Sequence, residues 1–211
     1  MRYSGPRCRL CRRLQKKLFL KGQRCFTPKC PIEKGTLPPG KSKGKGRRMR
    51  LTDYGEHQQE TQRAKRHYWV PMRQFQRYFA EAYKSDNPAQ ELVRILERRL
   101  DNVIYRLGFA LSRTHARQLI RHKHIRVNHQ RVTIPSFLVK PGDVLAPDPR
   151  EQSIKLVKDA LTMRRAEPDE FPTWAKVVKE DPPEGQVVQM PDPDESQVPF
   201  EPQMIVEFLT R

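Results

Sequence analysis

All four cysteines of this chain, Cys8, Cys11, Cys25 and Cys30, lie in one short stretch, CRLCRRLQKKLFLKGQRCFTPKC, among arginines and lysines and without a single acidic residue. Cys8 and Cys11 form a CxxC, thirteen residues follow, and Cys25 and Cys30 enclose four more. Two close pairs separated by a loop converge readily on one tetrahedral ion. Two disulfides are the alternative. No apolar run approaches the ~20 residues of a transmembrane helix, and MRYSGPRC has no apolar segment behind its first arginines. A cytosolic protein is therefore expected, and that compartment keeps thiols reduced and favours metal ligation. Residues 1 to 35 offer few apolar side chains, so a segment this short cannot bury a stable core unaided, whereas a metal would supply the missing folding free energy. Four thiolates around a divalent ion carry a net negative charge. The flanking Arg7, Arg9, Arg12, Arg13, Arg24 and Lys29 compensate it and favour thiolate over thiol. Zn2+ is the expected ion, with an iron-sulfur cluster as the alternative, because soft thiolate ligation suits both.

The charge points to a partner. The chain of 211 residues has a formal net charge of +18, which implies a polyanion. Residues 1 to 50 hold seventeen of the Lys and Arg and one acid, Glu33. Within them GTLPPGKSKGKGRRMR places Gly, Pro and Ser between Lys41, Lys43, Lys45, Arg47, Arg48 and Arg50, a composition expected to stay extended or disordered until it meets phosphate.

Beyond Leu51 the pattern turns helical. Thr52 or Asp53 can cap a helix whose first turn carries Glu56. A second helix is expected from about Pro71, with Phe75 and Phe79 on one face and Arg73 and Arg77 on a neighbouring basic stripe. The aromatics fit a core better than a base-stacking platform. Asn87 and Pro88 then provide a cap and a first helical residue. Leu92, Ile95, Leu96, Leu100, Val103, Ile104 and Leu107 continue at helical spacing to Gly108, a natural stop. A short helix from about Thr114 to His122 follows, and Arg113, Arg117 and Arg121 recur every four residues along one face of it, opposite Ala116, Leu119 and Ile120. That split suits RNA docking, since the guanidinium fork pairs with phosphate and stacks on bases. Ile125, Val127, Val132 and Ile134 alternate as a hairpin around Asn128 and His129. Asn-Gly would be the usual turn, although Asn and His tolerate the left-handed region better than most residues. Pro141, Gly142 and Asp143 precede another short strand.

RRLDNVIYRLGFALSRTHARQLIRHKHIRVN, followed by VTIPSFLVKPGD, closely resembles the small RNA-binding module named after bacterial small-subunit ribosomal protein four. RYSGPRCRLCRR, RLTDYGEHQ, RQFQRYFAEA, FPTWAKV and IVEFLTR extend the resemblance to that ribosomal family over nearly the whole chain. Departures are local: His129 where a glycine is usual, and the proline-rich acidic run PPEGQVVQMPDPDESQVPFEP. The resemblance implies an α+β protein with a four-cysteine metal knuckle and basic arm at 1–50. A helical lobe at 51–97 would be joined by the C-terminal segment 198–211. An RNA-binding module at 98–197 would pack helices on a short antiparallel sheet, with additional strands and a loop. It also implies a primary binder of small-subunit rRNA that helps to nucleate assembly, lines the channel through which mRNA enters, contributes to translational accuracy, touches neighbouring small-subunit ribosomal proteins and resides in the cytoplasm. Gln118, Asn128, Ser136 and Lys140 would complete the surface begun by Arg113, Arg117 and Arg121. Arg2, Tyr3, Arg12, Arg13, Arg73 and Arg77, with the cations of the arm, are the other residues assigned to RNA.

Two other classes compete. The same module delivers RNA to the catalytic domains of pseudouridine synthases and aminoacyl-tRNA synthetases. No room remains here for such a domain, no Gly-rich phosphate loop is present, and Asp101 in RLDN fits a structural or capping role, so neither catalysis nor a small-molecule substrate is expected. A zinc-finger regulator of DNA would need a helix that enters the major groove, whereas a hairpin beside a basic helix suits irregular RNA.

Overall fold

The computed structural model describes residues 3, 5–40, 51–165 and 172–210. Among them the chain forms two compact units, 1–92 with 198–211, and 93–197.

In the first unit the CxxC begins helix α1 (Arg7–Leu14). A 3-10 turn at Gly22–Phe26 carries Cys25. Cys11, Leu14, Leu18 and Leu20 are buried in one cluster, against which Leu10, Ile32 and Trp69 pack. Trp69, which comes from beyond the arm, thus adds to the segment's own few apolar residues. Helix α2 (Asp53–His67) starts where Thr52 Oγ1 accepts from the Gly55 N–H at 3.2 Å, with Asp53 and Glu56 in the first turn and Lys65, Arg66 and His67 in the last, each sign matched to the helix dipole. Helix α3 (Met72–Ala82) follows Pro71 and buries Phe75 and Tyr78; Phe79 is only half-buried. Near the C-terminus, α8 (Pro202–Leu209) packs on α2. Glu60, itself buried, ties the pieces together. It accepts from the Glu201 N–H at 3.0 Å and pairs with Arg63, which in turn donates to the Leu14 carbonyl at 3.2 and 3.3 Å.

Helix α4 (Pro88–Glu97) begins at Asn87, whose Oδ1 accepts from the Gln90 N–H at 3.3 Å. The expected single helix through Leu107 is instead broken. Arg99 is extended (φ −64°, ψ 135°) and bridges to Leu138, and the Leu100 N–H donates to the Phe137 carbonyl at 2.8 Å, so α5 (Leu100–Arg106) starts afresh. Long-range backbone hydrogen bonds override a helical period that runs without interruption through the sequence. Helix α6 (Arg113–Arg121) is capped by Ser112 Oγ on the His115 N–H at 3.2 Å.

Strands β1 (Ile125–Val127) and β2 (Gln130–Arg131) form a hairpin in which Val127 pairs with Gln130, leaving Asn128 and His129 as a two-residue turn, both at positive φ, 48° and 66°. Val132 and Ile134 lie outside the strand. Strand β3 (Val144–Pro147), helix α7 (Glu151–Arg165) and strands β4 (Ala175–Glu180) and β5 (Pro183–Val187) complete the unit. The five strands run antiparallel in the order β2-β1-β3-β5-β4. Helix α7 and the extent of the late hairpin were not anticipated.

The core of this second unit gathers Ile104, Leu107 and Phe109, Ile120 of α6, Ile125 and Leu145 of the sheet, Val157 of α7, and Trp174. Gly185 lets β5 approach α5: a Cβ there would lie 2.7 Å from Leu107 Cδ1 and 3.3 Å from Phe109 Cζ. Gly185→Ala is accordingly expected to destabilise the unit by about 1–3 kcal/mol through overpacking. Urea unfolding read at Trp174 in a Trp69→Phe background measures this, and an unchanged midpoint would show that the core yields freely.

Candidate nucleic-acid interface

Two buried carboxylates organise the arginines of α5 and α6. Glu97, fully buried, accepts from Arg106 Nε at 3.1 Å and Nη2 at 3.2 Å, and from Asn102 Nδ2 at 2.9 Å. Asn102 Oδ1 accepts in turn from Arg113 Nε at 2.7 Å. Asp101 accepts from Arg99 Nε at 3.0 Å and Nη2 at 2.6 Å, and pairs with Arg117 Nη1 at 3.3 Å. Tyr105 lies between Arg113 and Arg164, each guanidinium 4.6 Å from the ring centroid.

This geometry corrects the expectation of one arginine face turned to RNA. Arg113 and Arg117 are only 4% and 7% exposed and serve the interior, whereas Arg121 at the end of the helix is exposed. Helical spacing placed the first two on a common face, but that face meets α5, where Arg113 finds the Asn102 amide oxygen and Arg117 the Asp101 carboxylate. Asp101 has the structural role expected of it. Asn128 is exposed yet locks the hairpin: its Nδ2 donates to Asp143 Oδ1 at 2.8 Å and its Oδ1 accepts from the Val144 N–H at 2.9 Å. Gln118 and Lys140 are exposed and Ser136 is half-buried.

A second arginine cluster lies at the hairpin. Arg126 and Arg131 stand directly opposite each other, and like charges so placed repel. Asp148 lies between them, accepting from Arg131 Nε at 2.6 Å and Arg126 Nε at 3.0 Å on Oδ2 and from Arg150 Nε at 2.9 Å on Oδ1. The Arg131 hydrogen bond, joined by those of Arg126 and Arg150, holds the Asp148 carboxyl far below the usual carboxylate range despite its burial. None of these residues was singled out from the sequence. The available signal was the turn: a two-residue loop at Asn128–His129 makes positions 126 and 131 opposite, and two opposed arginines call for an anion.

In the first unit, Arg73 and Arg77 are exposed on α3. Tyr3, Lys65, Arg66, Trp69 and Arg73 line a cleft of about 500 Å³, with the Arg66 guanidinium 5.7 Å from the Tyr3 ring centroid. Burial, reinforced by the charge of Arg66, lowers the Lys65 ammonium from its ordinary value. Arg13 is exposed, while Arg12 donates from Nε and Nη2 to the Leu37 carbonyl at 2.8 and 2.6 Å and so helps to fold the arm. Arg2, Lys41, Lys43, Lys45, Arg47, Arg48 and Arg50 lie outside the described residues.

The four cysteines are free thiols, three of them buried. Burial pushes Cys11 up to about 11; the neighbouring Cys25, Cys8 and Cys30 add to the rise, and a backbone hydrogen bond from Leu18 opposes it. Burial likewise raises Cys25, against the Lys21 N–H that donates to its Sγ at 3.4 Å. The cation that acts on Cys25 is Lys17, whereas Arg7 and Arg12 are turned to the Leu20 and Leu37 carbonyls. Among the described residues, no group of three or more His, Cys, Asp or Glu side chains is drawn together tightly enough to hold a metal ion, so a closed four-thiolate knuckle is not seen. No helix among the described residues is long and apolar enough to cross a membrane.

Residues 98–145 match the family described as the S4 domain, and residues 2–97 match the ribosomal protein S4/S9 N-terminal domain. Over its full length the chain is 45% identical to the small ribosomal subunit protein uS4 of Thermodesulfovibrio yellowstonii, covering 99% of that protein. It is 46% identical to uS4A of Symbiobacterium thermophilum and to uS4 of Dictyoglomus turgidum, with the same coverage of each.

Removing Arg117 takes one of two guanidinium partners from the buried Asp101, which keeps Arg99, and a hydrogen bond to a charged group is worth about 1.5–3 kcal/mol. Arg117→Ala is therefore expected to lower stability by that order, measured by urea unfolding at Trp174. Unchanged stability would mean that Arg117 does not serve the interior.

Proposed function

Because the chain belongs to the uS4 family of small-subunit ribosomal proteins, a family of structural components and not of enzymes, we propose that it binds small-subunit rRNA directly in the cytoplasmic ribosome. The observation that carries this reading is full-length relatedness to proteins named for the small subunit, in a chain with exposed cations in both units. Arg121, Arg131, Arg150 and Lys140 offer exposed charge in the second unit, and Arg13, Arg73 and Arg77 in the first. Phosphate contacts of this kind position a protein on folded RNA without needing base readout. In finer terms, the protein helps to nucleate subunit assembly, lines the channel through which mRNA enters, supports translational accuracy there, and touches neighbouring small-subunit proteins. These roles extend the resemblance noted above and fit a chain whose basic surface is spread over both units.

Binding is tested through its salt dependence, since log affinity falls against log salt with a slope of about −0.7 to −0.9 per phosphate neutralised. Replacing Lys41, Lys43, Lys45, Arg47, Arg48 and Arg50 by Gln should flatten the slope for a small-subunit rRNA transcript by several units. An unchanged slope would show these cations to be solvated in the complex.

The reading includes a metal at Cys8, Cys11, Cys25 and Cys30. The donor chemistry supports it: four free thiols in one short segment, with backbone N–H groups already aimed at the Cys11 and Cys25 sulfurs. Zn2+ would supply folding free energy to the arm, and an iron-sulfur cluster is the alternative occupant. Because the Cys11 and Cys25 pKa values are raised, both are thiols at neutral pH, and a metal must displace their protons. Zn2+ added to the reduced chain should thus release protons, with affinity climbing from about pH 6 to about pH 8. Indicator-dye titration measures both; no binding, or binding without proton release, would contradict the site.

A further inference from the structure

Asp148 follows β3, held by its own N–H on the His124 carbonyl at 2.8 Å. Its side chain is 1% exposed, while those of Arg126, Arg131 and Arg150 around it are 29%, 51% and 49% exposed. Three guanidiniums against one carboxylate leave two positive charges in surplus, directed to solvent. Arg150 is fixed further by Nη2 on the Lys123 carbonyl at 2.7 Å, and Arg126 by Nη1 on the His129 carbonyl at 3.5 Å. A guanidinium has five N–H donors. In each of the three arginines the internal bonds take up only part of that set, so donors remain for a ligand.

We propose that Arg126, Arg131 and Arg150 form one subsite for a backbone phosphate of folded ribosomal RNA, and that Asp148 is its positioning residue. The proposal rests on the RNA-binding reading above. The ligand is an anion because the surplus charge is positive and exposed. It is a phosphate because three guanidinium forks gathered around one carboxylate present their remaining exposed donors in one patch, and such forks match tetrahedral oxygens that accept paired hydrogen bonds. Asp148 removes in advance the freedom that three long side chains would otherwise lose on binding, and it allows two opposed arginines to stay side by side on the hairpin.

The role of Asp148 gives the test an unusual sign. Asp148→Ala makes the full chain more positive, so a cluster that acts through charge alone would bind RNA more tightly without it. A positioned cluster binds more weakly. In filter binding to a small-subunit rRNA transcript at fixed salt, Asp148→Ala is expected to lose about tenfold in affinity, the equivalent of one charge-assisted contact. Arg131→Ala and Arg150→Ala remove exposed side chains without opening the core, and each should weaken binding and reduce the magnitude of the salt slope by about one. They decide the matter even if Asp148→Ala loosens the hairpin. Equal or tighter binding by a folded Asp148→Ala chain, or unchanged affinity and slope in the two arginine variants, would overturn the subsite while leaving RNA binding intact. A wild-type chain that prefers duplex DNA to this transcript would overturn the RNA-binding reading itself.

Discussion

The paired carboxylates Glu97 and Asp101 are the interaction on which the second unit depends. Within six residues of chain, Glu97 to Asn102, one helix ends, an extended arginine bridges to Leu138, another helix starts, and two acidic side chains enter the interior. Burying a carboxylate is costly unless its lone pairs are met by well-placed donors. Here Arg99, Arg106 and Arg117, with Asn102, meet them. Asn102 passes the constraint on to Arg113, which fixes α6 relative to α5 and so sets where the hairpin leaves the helix.

One consequence is that the arginines of this unit do two kinds of work. Arg99, Arg113 and Arg117 are construction, bonded to Asp101 and Asn102 from within and shielded from solvent. Arg121, Arg131 and Arg150 are exposed. The same residue type serves both uses because its planar fork bonds equally well to a buried carboxylate or to a phosphate oxygen. Formal charge therefore overstates what is available to a partner.

What was legible in the sequence was local. Thr52, Asn87 and Gly108 mark helix ends because capping and positive φ are decided within a turn of chain. Asn128 and His129 mark the hairpin because few residues accept the left-handed region, even though the usual glycine is missing. The break at Arg98–Arg99 was hidden, since the apolar spacing continues through it and the Phe137 and Leu138 backbone that interrupts the helix lies about forty residues on. Helix α7 was passed over as well, its apolar stripe of Val157, Ala160 and Leu161 diluted by lysines and arginines. For the candidate site, periodicity put Arg113 and Arg117 together but could not say whether their face met water or Asp101. The Asp148 cluster was missed because it joins residues from β1, β2 and the segment after β3, which only the sheet register brings side by side.

The division of the arginines into internal and RNA-facing sets is tested most directly by chemical modification of arginine in the full chain, free and bound to small-subunit rRNA, with each site quantified by mass spectrometry. Arg121, Arg131 and Arg150 should react in the free protein and become protected in the complex, while Arg99, Arg113 and Arg117 stay unreactive in both. Reactive Arg113 and Arg117 that are protected only by RNA, with Arg131 and Arg150 indifferent to it, would contradict the account.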